Sequence, residues 1–272
     1  MVEVIEPTRG TDQPIIVAGI RVDLPRQLGP YQLVDRLGRG GMAEVFLAIA
    51  YGASGFEKKV AIKTLLPELA SNGELLRLLI EEARLGARLS HRNLVAVHEL
   101  GCDDGVYYVR MDFVDGGDLR VLGRAERMPA ALALFVCAEV ALALDALHGA
   151  TDAEGRPLGL VHRDVSPSNV LLSRAGEVKL ADLGVAKATR LADVTRAGVR
   201  KGKYAYMSPE QVAGDPLGPA SDQFALGVVL FELLLGHRPF DRGDADDNVL
   251  DTMQRIRAAA PPDLAPLPPD VA

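Results

Sequence analysis

Three polar side chains in the stretch Val161–Gly184 have the types and spacing to act together. Asp164 and Asn169 lie five residues apart in a polar loop, and Asp182 ends the second of two short predicted strands that follow. A hairpin between those strands brings Asp182 back to the loop. Carboxylate and amide oxygens are hard ligands that suit Mg²⁺ held against phosphates, and one acid is left over to act as a base. An Asx-rich turn followed by a hairpin explains any single piece, but not all of them in this order.

A glycine-rich turn lies between two predicted strands earlier in the chain. Tyr31–Leu37 alternates polar and apolar residues, and G-R-G-G-M-A-E-V follows from Gly38 to Val45. A dinucleotide fingerprint needs a helix after its glycines, but the residues that begin at Val45 are β-branched and apolar. No Gly-Lys-Ser/Thr closes the turn, which excludes a Walker loop. We therefore expect a hairpin whose backbone N–H groups at Gly38 and Gly40 approach phosphate oxygens.

A lysine follows on the next predicted strand, Val60-Ala-Ile-Lys63. Ala61 and Lys63 point to the same face of a strand, so a small side chain lies beside an ammonium. This leaves room for a flat base while Lys63 contacts its phosphates. An exposed lysine is the alternative for this motif alone, and its position after the glycine hairpin favours nucleotide binding.

These motifs resemble those of the protein kinase family. The stretch from His162 to Gly184 contains H-R-D-x-x-x-x-N and then D-L-G, with Leu183 where kinases usually have Phe. Ser208-Pro-Glu210 resembles the motif that ends the kinase activation segment. The resemblance extends from about residue 31 to residue 258 and is to bacterial, eukaryotic-like Ser/Thr kinases.

The resemblance implies an α+β fold with two lobes. The smaller lobe, residues 30–114, is an antiparallel β-sheet with one main helix, and the larger lobe, residues 115–258, is mostly helical. Residues 1–29 are expected to form a leader and residues 259–272 a Pro-rich tail. The implied activity is transfer of the γ-phosphate of ATP, with Mg²⁺, to Ser or Thr hydroxyls of proteins.

The catalytic roles follow from the same resemblance. Asp164 accepts the proton of the hydroxyl, while Asn169 and Asp182 hold the metal. Kinases pair the strand lysine with a glutamate on the helix predicted here over Glu74–Ser90, where Glu81 and Glu82 are adjacent. Because a helix turns by about 100° per residue, only one of them faces inward. The spacing to His91-Arg-Asn-Leu-Val favours Glu82 as the partner of Lys63.

The resemblance also implies the nucleotide-binding residues. Met111 is expected behind the adenine, the backbone of Asp112 and Val114 is expected to hydrogen-bond the base, and Asp118 is placed to contact the ribose. The complete predicted set is Leu37, Gly38, Arg39, Gly40, Gly41, Met42, Ala43, Glu44, Val45, Ala61, Lys63, Met111, Asp112, Val114, Asp118 and Leu171.

The sequence departs from the family at two positions near Asp164. Ser/Thr kinases carry Lys two residues after the catalytic Asp, and this chain has Ser166. They carry Thr after a glycine shortly before the Pro-Glu of the activation segment, and this chain has Lys203 after Gly202. We expect the two side chains to have exchanged roles, so that Lys203 supplies the cation and Ser166 the hydroxyl. In the opposing interpretation Lys203 points to solvent and catalysis is weak.

The activation segment and the end of the chain suggest three further expectations. Thr195 is the predicted phosphosite, and Arg163 would bind its phosphate. Asp222 is expected to cap the helix that begins near it and, by the resemblance, to tether the catalytic loop. No helix after Phe240 supplies the Arg that kinases pair with the glutamate of this motif, so we expect Glu210 to be unpaired and the larger lobe to be incomplete.

Composition limits the other functions. The net charge of −7 gives no basic footprint for nucleic acid or a membrane surface. We see no membrane span and no signal peptide, and two cysteines form no disulfide framework or metal motif. A cytoplasmic protein is therefore expected, with protein substrates as partners and self-association for autophosphorylation in trans.

Two rival functions stay open. A pseudokinase that binds nucleotide as a scaffold is favoured by Ser166 and opposed by intact Lys63, Asp164, Asn169 and Asp182. A small-molecule phosphotransferase is opposed by the activation-segment motif, because that segment docks a polypeptide.

Overall fold

The computed structural model describes residues 15–17, 20–22, 24–122, 128–184, 203–241 and 249–258. These residues form a sheet lobe and a helical lobe, as the sequence predicts. The described strands of the first lobe are β1 (Ile15–Val17), β2 (Ile20–Val22), β3 (Arg26–Leu28), β4 (Tyr31–Arg39), β5 (Ala43–Tyr51), β6 (Glu57–Leu65), β7 (Val97–Asp103) and β8 (Val106–Asp112).

An antiparallel six-stranded sheet, in the order β3-β4-β5-β6-β8-β7, forms the smaller lobe. Its strands alternate, so one face carries Leu33, Phe46 and Ile62, all fully buried. The other face packs against helix α1 (Gly73–Gly86). The sheet begins at Arg26, before the predicted lobe boundary at residue 30, because β3 pairs with β4.

Helix α1 has a clear start signal. The side chain of Asn72 accepts hydrogen bonds from the backbone N–H groups of Glu74 and Leu75, at 3.0 and 3.2 Å. An Asn at this position satisfies donors that have no partner inside the helix. The helix ends at Gly86, four residues before the predicted end at Ser90.

The larger lobe is built on two apolar helices that pack together. Helix α3 (Ala130–His148) contacts α5 (Pro219–Leu235) through residues such as Val140, Leu144 and Val228. The other described helices are α2 (Leu119–Leu122), α4 (Pro209–Ala213) and α6 (Val249–Ala258). Helix α3 is long and apolar enough to cross a membrane by length and composition alone, and its buried side lies in this core.

A small antiparallel sheet supports the loop of Asp164. The predicted hairpin is present as β10 (Val170–Ser173) and β11 (Val178–Leu180). A third strand, β9 (Gly116–Asp118), pairs with β10. The backbone N–H of Leu180 donates to Asn93 (2.7 Å), and that of Val95 donates to Leu180 (3.0 Å). These bonds join the hairpin to the chain that follows α1.

We predict that Gly116→Ala destabilises the protein. A Cβ atom at Gly116 would lie 1.8 Å from the backbone carbonyl oxygen of Leu172, so β9 would separate from β10. We expect a loss of about 1–3 kcal/mol in the free energy of unfolding, measured by chemical denaturation. The control is Gly227→Ala on α5, where a Cβ meets nothing within 4 Å and helix propensity favours Ala by up to about 1 kcal/mol. Equal stability of the two variants would contradict the close approach of β9 and β10.

Candidate active site

The loop of Asp164 is held by a buried carboxylate on α5. Asp222 accepts hydrogen bonds from the backbone N–H groups of His162 (2.7 Å) and Arg163 (2.8 Å), and its Oδ2 also lies 2.8 Å from Nε2 of His148. The expected tether is therefore present. The expected cap is wrong, because Gly218 is the N-cap of α5 and Asp222 lies inside its first turn.

Two non-glycine residues of the site have left-handed backbone conformations. Arg163 has φ = 67° and Asp182 has φ = 61°. This conformation is costly for side-chain-bearing residues and persists only when the surrounding structure imposes it. The N–H of Gly184 donates to the carbonyl of His162 (2.8 Å), and a Cβ at Gly184 would lie 2.6 Å from that oxygen. Only glycine therefore lets the two loops approach this closely.

His162 is fully buried between these loops and is neutral. Its Nδ1 accepts the backbone N–H of Asp164 (3.3 Å), so the ring proton lies on Nε2, which faces the carbonyl oxygen of Ala181 (3.2 Å). Burial lowers the pKa of His162 below its ordinary value, because the charged ring has lost its water. A second proton on Nδ1 would also point at the N–H of Asp164.

Asp164, Asn169 and Lys203 form one cluster. Asn169 donates through Nδ2 to the Oδ2 (2.9 Å) and the backbone carbonyl (2.8 Å) of Asp164. The ammonium of Lys203 donates to the same Oδ2 (2.8 Å) and to Oδ1 of Asn169 (3.3 Å). Lys203 thus points into the site and not to solvent. The hydroxyl of Ser166 lies 3.2 Å from that of Ser168.

Lys63 joins the two lobes through two ion pairs. Its ammonium lies 2.6 Å from Oε1 of Glu82 and 2.9 Å from Oδ1 of Asp182. Glu81, the alternative partner, is exposed. Burial opposes the charge of Lys63, but the carboxylates of Asp182 and Glu82 outweigh it and raise the pKa of Lys63. The Lys63 ammonium lowers the pKa of Asp182, whereas burial raises that of Glu82.

The predicted base-binding residues share one face of the sheet. Val45, Ala61 and Met111 belong to the cluster that faces α1, and Ala61 pairs directly with Met111. The N–H of Asp112 donates to the carbonyl of Ala96 (3.0 Å). Val114 lies two residues beyond the end of β8 and is partly buried.

The glycine turn is a hairpin between β4 and β5, as the sequence predicts, but the N–H of Gly40, which was expected to approach phosphate oxygens, has a partner inside the hairpin. The N–H of Gly40 donates to the carbonyl of Ala43 (2.7 Å), and the carbonyl of Met42 accepts the N–H of Leu66 (2.9 Å). The tip of the hairpin therefore consists of Gly40, Gly41 and Met42, which lie between the end of β4 and the start of β5 at Ala43.

Two predicted nucleotide-binding residues have other partners, and a third is exposed. Glu44 pairs with Thr64, on the face opposite to Lys63, where it is buried 3.9 Å from Arg36, so its side chain does not belong to the site. This corrects the prediction, and the reason is strand alternation. Arg39 binds Glu68 (2.6 Å). Leu37 is about half exposed.

Asp118 caps α2 and lies beside Leu171. Its Oδ1 accepts the N–H of Val121 (3.0 Å), and its Oδ2 lies 3.3 Å from Arg120. Leu171 is the Cα partner of Asp118 in the β9–β10 pair. The two residues are therefore neighbours, and the carboxylate of Asp118 has backbone and guanidinium partners already.

The donor set of Asn169 and Asp182 fits Mg²⁺. Within the described ranges, no three His, Cys, Asp or Glu side chains cluster as metal ligands. Mg²⁺ usually takes one or two protein oxygens and completes its shell with phosphate and water, so two oxygens suffice. Such an ion would neutralise charge on bound phosphates.

The activation-segment end shows two contacts that sequence reasoning missed. Glu210 accepts a hydrogen bond from the hydroxyl of Ser221, so the expectation that it is unpaired is wrong. Gln211 donates from Nε2 to the carbonyl of Arg163 (3.0 Å). Neither contact has a sequence signal, because the partners are distant along the chain. The predicted phosphosite Thr195 lies outside the described residues.

Comparison with known proteins agrees with this geometry. A sequence profile described as the protein kinase domain matches residues 31–269. The chain belongs to the protein kinase family.

Two bacterial protein kinases are similar to this chain over most of its length. The tyrosine-protein kinase MasK of Myxococcus xanthus is 44% identical over 94% of this chain and 40% of its own length. The serine/threonine-protein kinase PknA of Mycobacterium tuberculosis is 36% identical over 89% of this chain and 54% of its own length. The kinase domain therefore spans about half or less of these curated relatives.

A solved structure agrees on the fold. The M. tuberculosis PknI kinase domain aligns with a TM-score of 0.64 and 30% identity, over 92% of this chain and 86% of that one. The predictions of family and of a two-lobed fold are confirmed.

We predict that Glu82→Gln destabilises this kinase domain and that Glu81→Gln does not. Glu82→Gln replaces one of the two carboxylates around the buried ammonium of Lys63 with a neutral amide. A hydrogen bond to a charged group contributes about 1.5–3 kcal/mol to the free energy of unfolding. Glu81 is its adjacent, exposed control, for which we expect a change within about 0.5 kcal/mol. The free energy of unfolding is measured for both variants. Equal changes would mean that the ion pair contributes nothing.

We also predict that His162 makes the kinase domain less stable in acid. Because its folded-state pKa is lowered, the unfolded chain takes up the proton first, and stability falls as the pH drops below about 6.5. Between pH 7.5 and 5.5 this proton uptake by the unfolded chain lowers the free energy of unfolding by up to about 1.4 kcal/mol. His162→Phe should remove that part of the pH dependence, and His237→Gln, at an exposed histidine, is the control. An unchanged pH profile in the Phe variant would contradict a neutral His162.

Proposed function

We propose that this chain is an ATP- and Mg²⁺-dependent protein kinase that phosphorylates Ser and Thr side chains, including its own activation segment. The single observation that supports this most is the joint placement of two ion-paired clusters, Lys63–Glu82–Asp182 and Asp164–Asn169–Lys203. Each combines residues that are distant in sequence. A scaffold that only binds nucleotide has no use for Asp164 in this geometry.

Asp164 has the position of the catalytic base. The oxygen of the acceptor hydroxyl forms a bond to the γ-phosphorus, and the bond from that phosphorus to the oxygen bridging to the β-phosphate breaks. The hydroxyl proton passes to Asp164, and ADP leaves. Asn169 orients Asp164 through its amide, since Nδ2 donates to both the side chain and the backbone of that residue. Positioning and charge neutralisation supply most of the rate enhancement.

Lys63 contacts the α and β phosphates in this proposal. Its present partners, Glu82 and Asp182, come from different lobes, so the ammonium is positioned only when the lobes meet. Asn169 and Asp182 would hold Mg²⁺. The carbonyl of Asp112 and the backbone of Val114 would hold the base, with Met111 behind it.

Thr195 is the proposed site of autophosphorylation. The Nε of Arg163 is buried and has no hydrogen-bond partner among the residues that the structure describes, which is a cost that a phosphate oxygen would relieve. Protein substrates and self-association in trans are the partners this proposal requires. A cytoplasmic location is proposed with them, supported by the free thiols of Cys102 and Cys137.

Tyrosine phosphorylation is a second candidate. It is favoured by the name of MasK, a tyrosine-protein kinase that is 44% identical to this chain, and by Ser166, which stands where Ser/Thr kinases carry Lys. Peptides that differ only in a Ser, Thr or Tyr acceptor, followed by phosphoamino-acid analysis, decide between the candidates. Label on the Ser and Thr peptides supports the first, and label on the Tyr peptide alone the second.

We predict that Asp164→Asn abolishes phosphate transfer and retains ATP binding. Loss of a general base lowers kcat by about 10²–10⁴-fold. The measurements are autophosphorylation with labelled ATP and Mg²⁺, and the affinity for ATP by calorimetry. Asp145→Asn, at an exposed carboxylate on α3, is the control. If wild type and Asp164→Asn bind ATP and neither is labelled, the chain is a nucleotide-binding scaffold and the proposal is wrong.

A further inference from the structure

Lys203 delivers a positive charge to Asp164 from outside the loop that carries Asp164. Its ammonium is 2.8 Å from Oδ2 of Asp164 and 3.3 Å from Oδ1 of Asn169, and its side chain is 22% exposed. Asn169 bonds the same carboxylate oxygen. The cation, the acid and the amide therefore form one closed cluster at the point where the acceptor hydroxyl would react.

The backbone that carries Lys203 is anchored to the core of the larger lobe. Lys203 is the first residue of a helical turn, Lys203–Tyr206, and the other three residues of that turn are buried. The hydroxyl of Tyr206 donates to Glu232 on α5, and the guanidinium of Arg238 lies 5.9 Å from the centre of its ring. Five residues after Tyr206, Gln211 donates a hydrogen bond to the backbone of the catalytic loop. These contacts place the start of the Lys203 side chain, and its four-carbon stem spans the remaining distance.

Ser166 cannot provide this charge. Its side chain is buried at 2% exposure, and its hydroxyl lies against that of Ser168. Lys63 is 2.6 and 2.9 Å from two carboxylates at the other side of the site. A third negative group, such as a phosphoryl group arriving beside Asp164, needs another cation nearby.

We propose that Lys203 is a catalytic residue, which contacts the phosphoryl group as it passes to the acceptor hydroxyl. The proposal rests on the proposed kinase function and deepens it. Asp164 takes the hydroxyl proton, and the charge of Lys203 offsets the negative charge on the phosphoryl oxygens, which gain no proton in the step. Because Lys203 belongs to the turn that leads into Ser208-Pro-Glu210, the cation and the end of the activation segment are placed by the same anchor.

The first test relocates the charge. Lys203→Thr should lower kcat by about 100-fold, with the KM for ATP changed less than threefold, because the lost contact is made only during transfer. The double variant Ser166→Lys/Lys203→Thr restores the arrangement usual in Ser/Thr kinases and should recover kcat at least tenfold over the single variant. Lys58→Met, an exposed lysine on β6, is the control. Wild-type kcat in Lys203→Thr would overturn the proposal.

The second test needs no turnover. Wild-type protein with Mg²⁺ should bind ADP at least tenfold more tightly when aluminium fluoride is present, because this anion mimics the phosphoryl group in transfer. Lys203→Met should lose that gain while its Kd for ADP alone stays within about twofold. The same gain in both proteins, or none in either, would overturn the role of Lys203. A wild type that binds the mimic but transfers no phosphate would contradict the proposed function instead.

Discussion

The buried carboxylate of Asp222 makes the catalytic loop possible, because it binds two successive backbone N–H groups that a left-handed residue leaves without a regular partner. His162 and Arg163 both donate to it, and Arg163 has φ = 67°. A charged acceptor forms stronger hydrogen bonds than a neutral one, and burial on α5 keeps water from competing. The position of Asp164 follows from this tether, since it is the next residue along the loop.

The two lobes contact each other through an ion pair. Lys63 from the sheet lobe lies between Glu82 of the same lobe and Asp182 of the other, so the ion pair that completes the site is also a contact between lobes. Removing charges from water is costly unless each finds a partner, and neither lobe alone offers Lys63 both carboxylates. The ion pair that joins the lobes is therefore also the contact that positions the ammonium of Lys63.

At positions 166 and 203 this chain has Ser and Lys where Ser/Thr kinases carry Lys and Thr. The positive charge beside Asp164 therefore comes from a different position of the chain. The ammonium of Lys203 lies beside Asp164 and comes from the chain before Ser208-Pro-Glu210, whereas the hydroxyl of Ser166 lies against that of Ser168. A flexible stem lets an ammonium reach the same point from a different backbone position, whereas a short hydroxyl stays where the backbone puts it. The catalytic-loop motif thus lacks its usual lysine, while a positive charge is still present beside Asp164.

Local patterns in the sequence determined the elements and most of the site. Strand alternation placed Ala61 and Lys63 on one face, the β-branched run after the glycines indicated a hairpin, and helical rotation allowed only one of Glu81 and Glu82 to face inward. These are short-range properties of a chain, so they can be read without knowing the fold.

Tertiary structure decided the contacts between distant residues. Strand β9 forms because β10 offers it a partner, Glu210 is paired because α5 brings Ser221 to it, and Asp222 is a tether and not a cap because the catalytic loop lies over α5. The side chain of Glu44 lies outside the site because its neighbour Val45 faces the same side as Ala61 and Lys63, and adjacent strand residues face opposite ways. A hydrogen bond between residues far apart in sequence depends on how the lobes pack, and no local pattern carries that information.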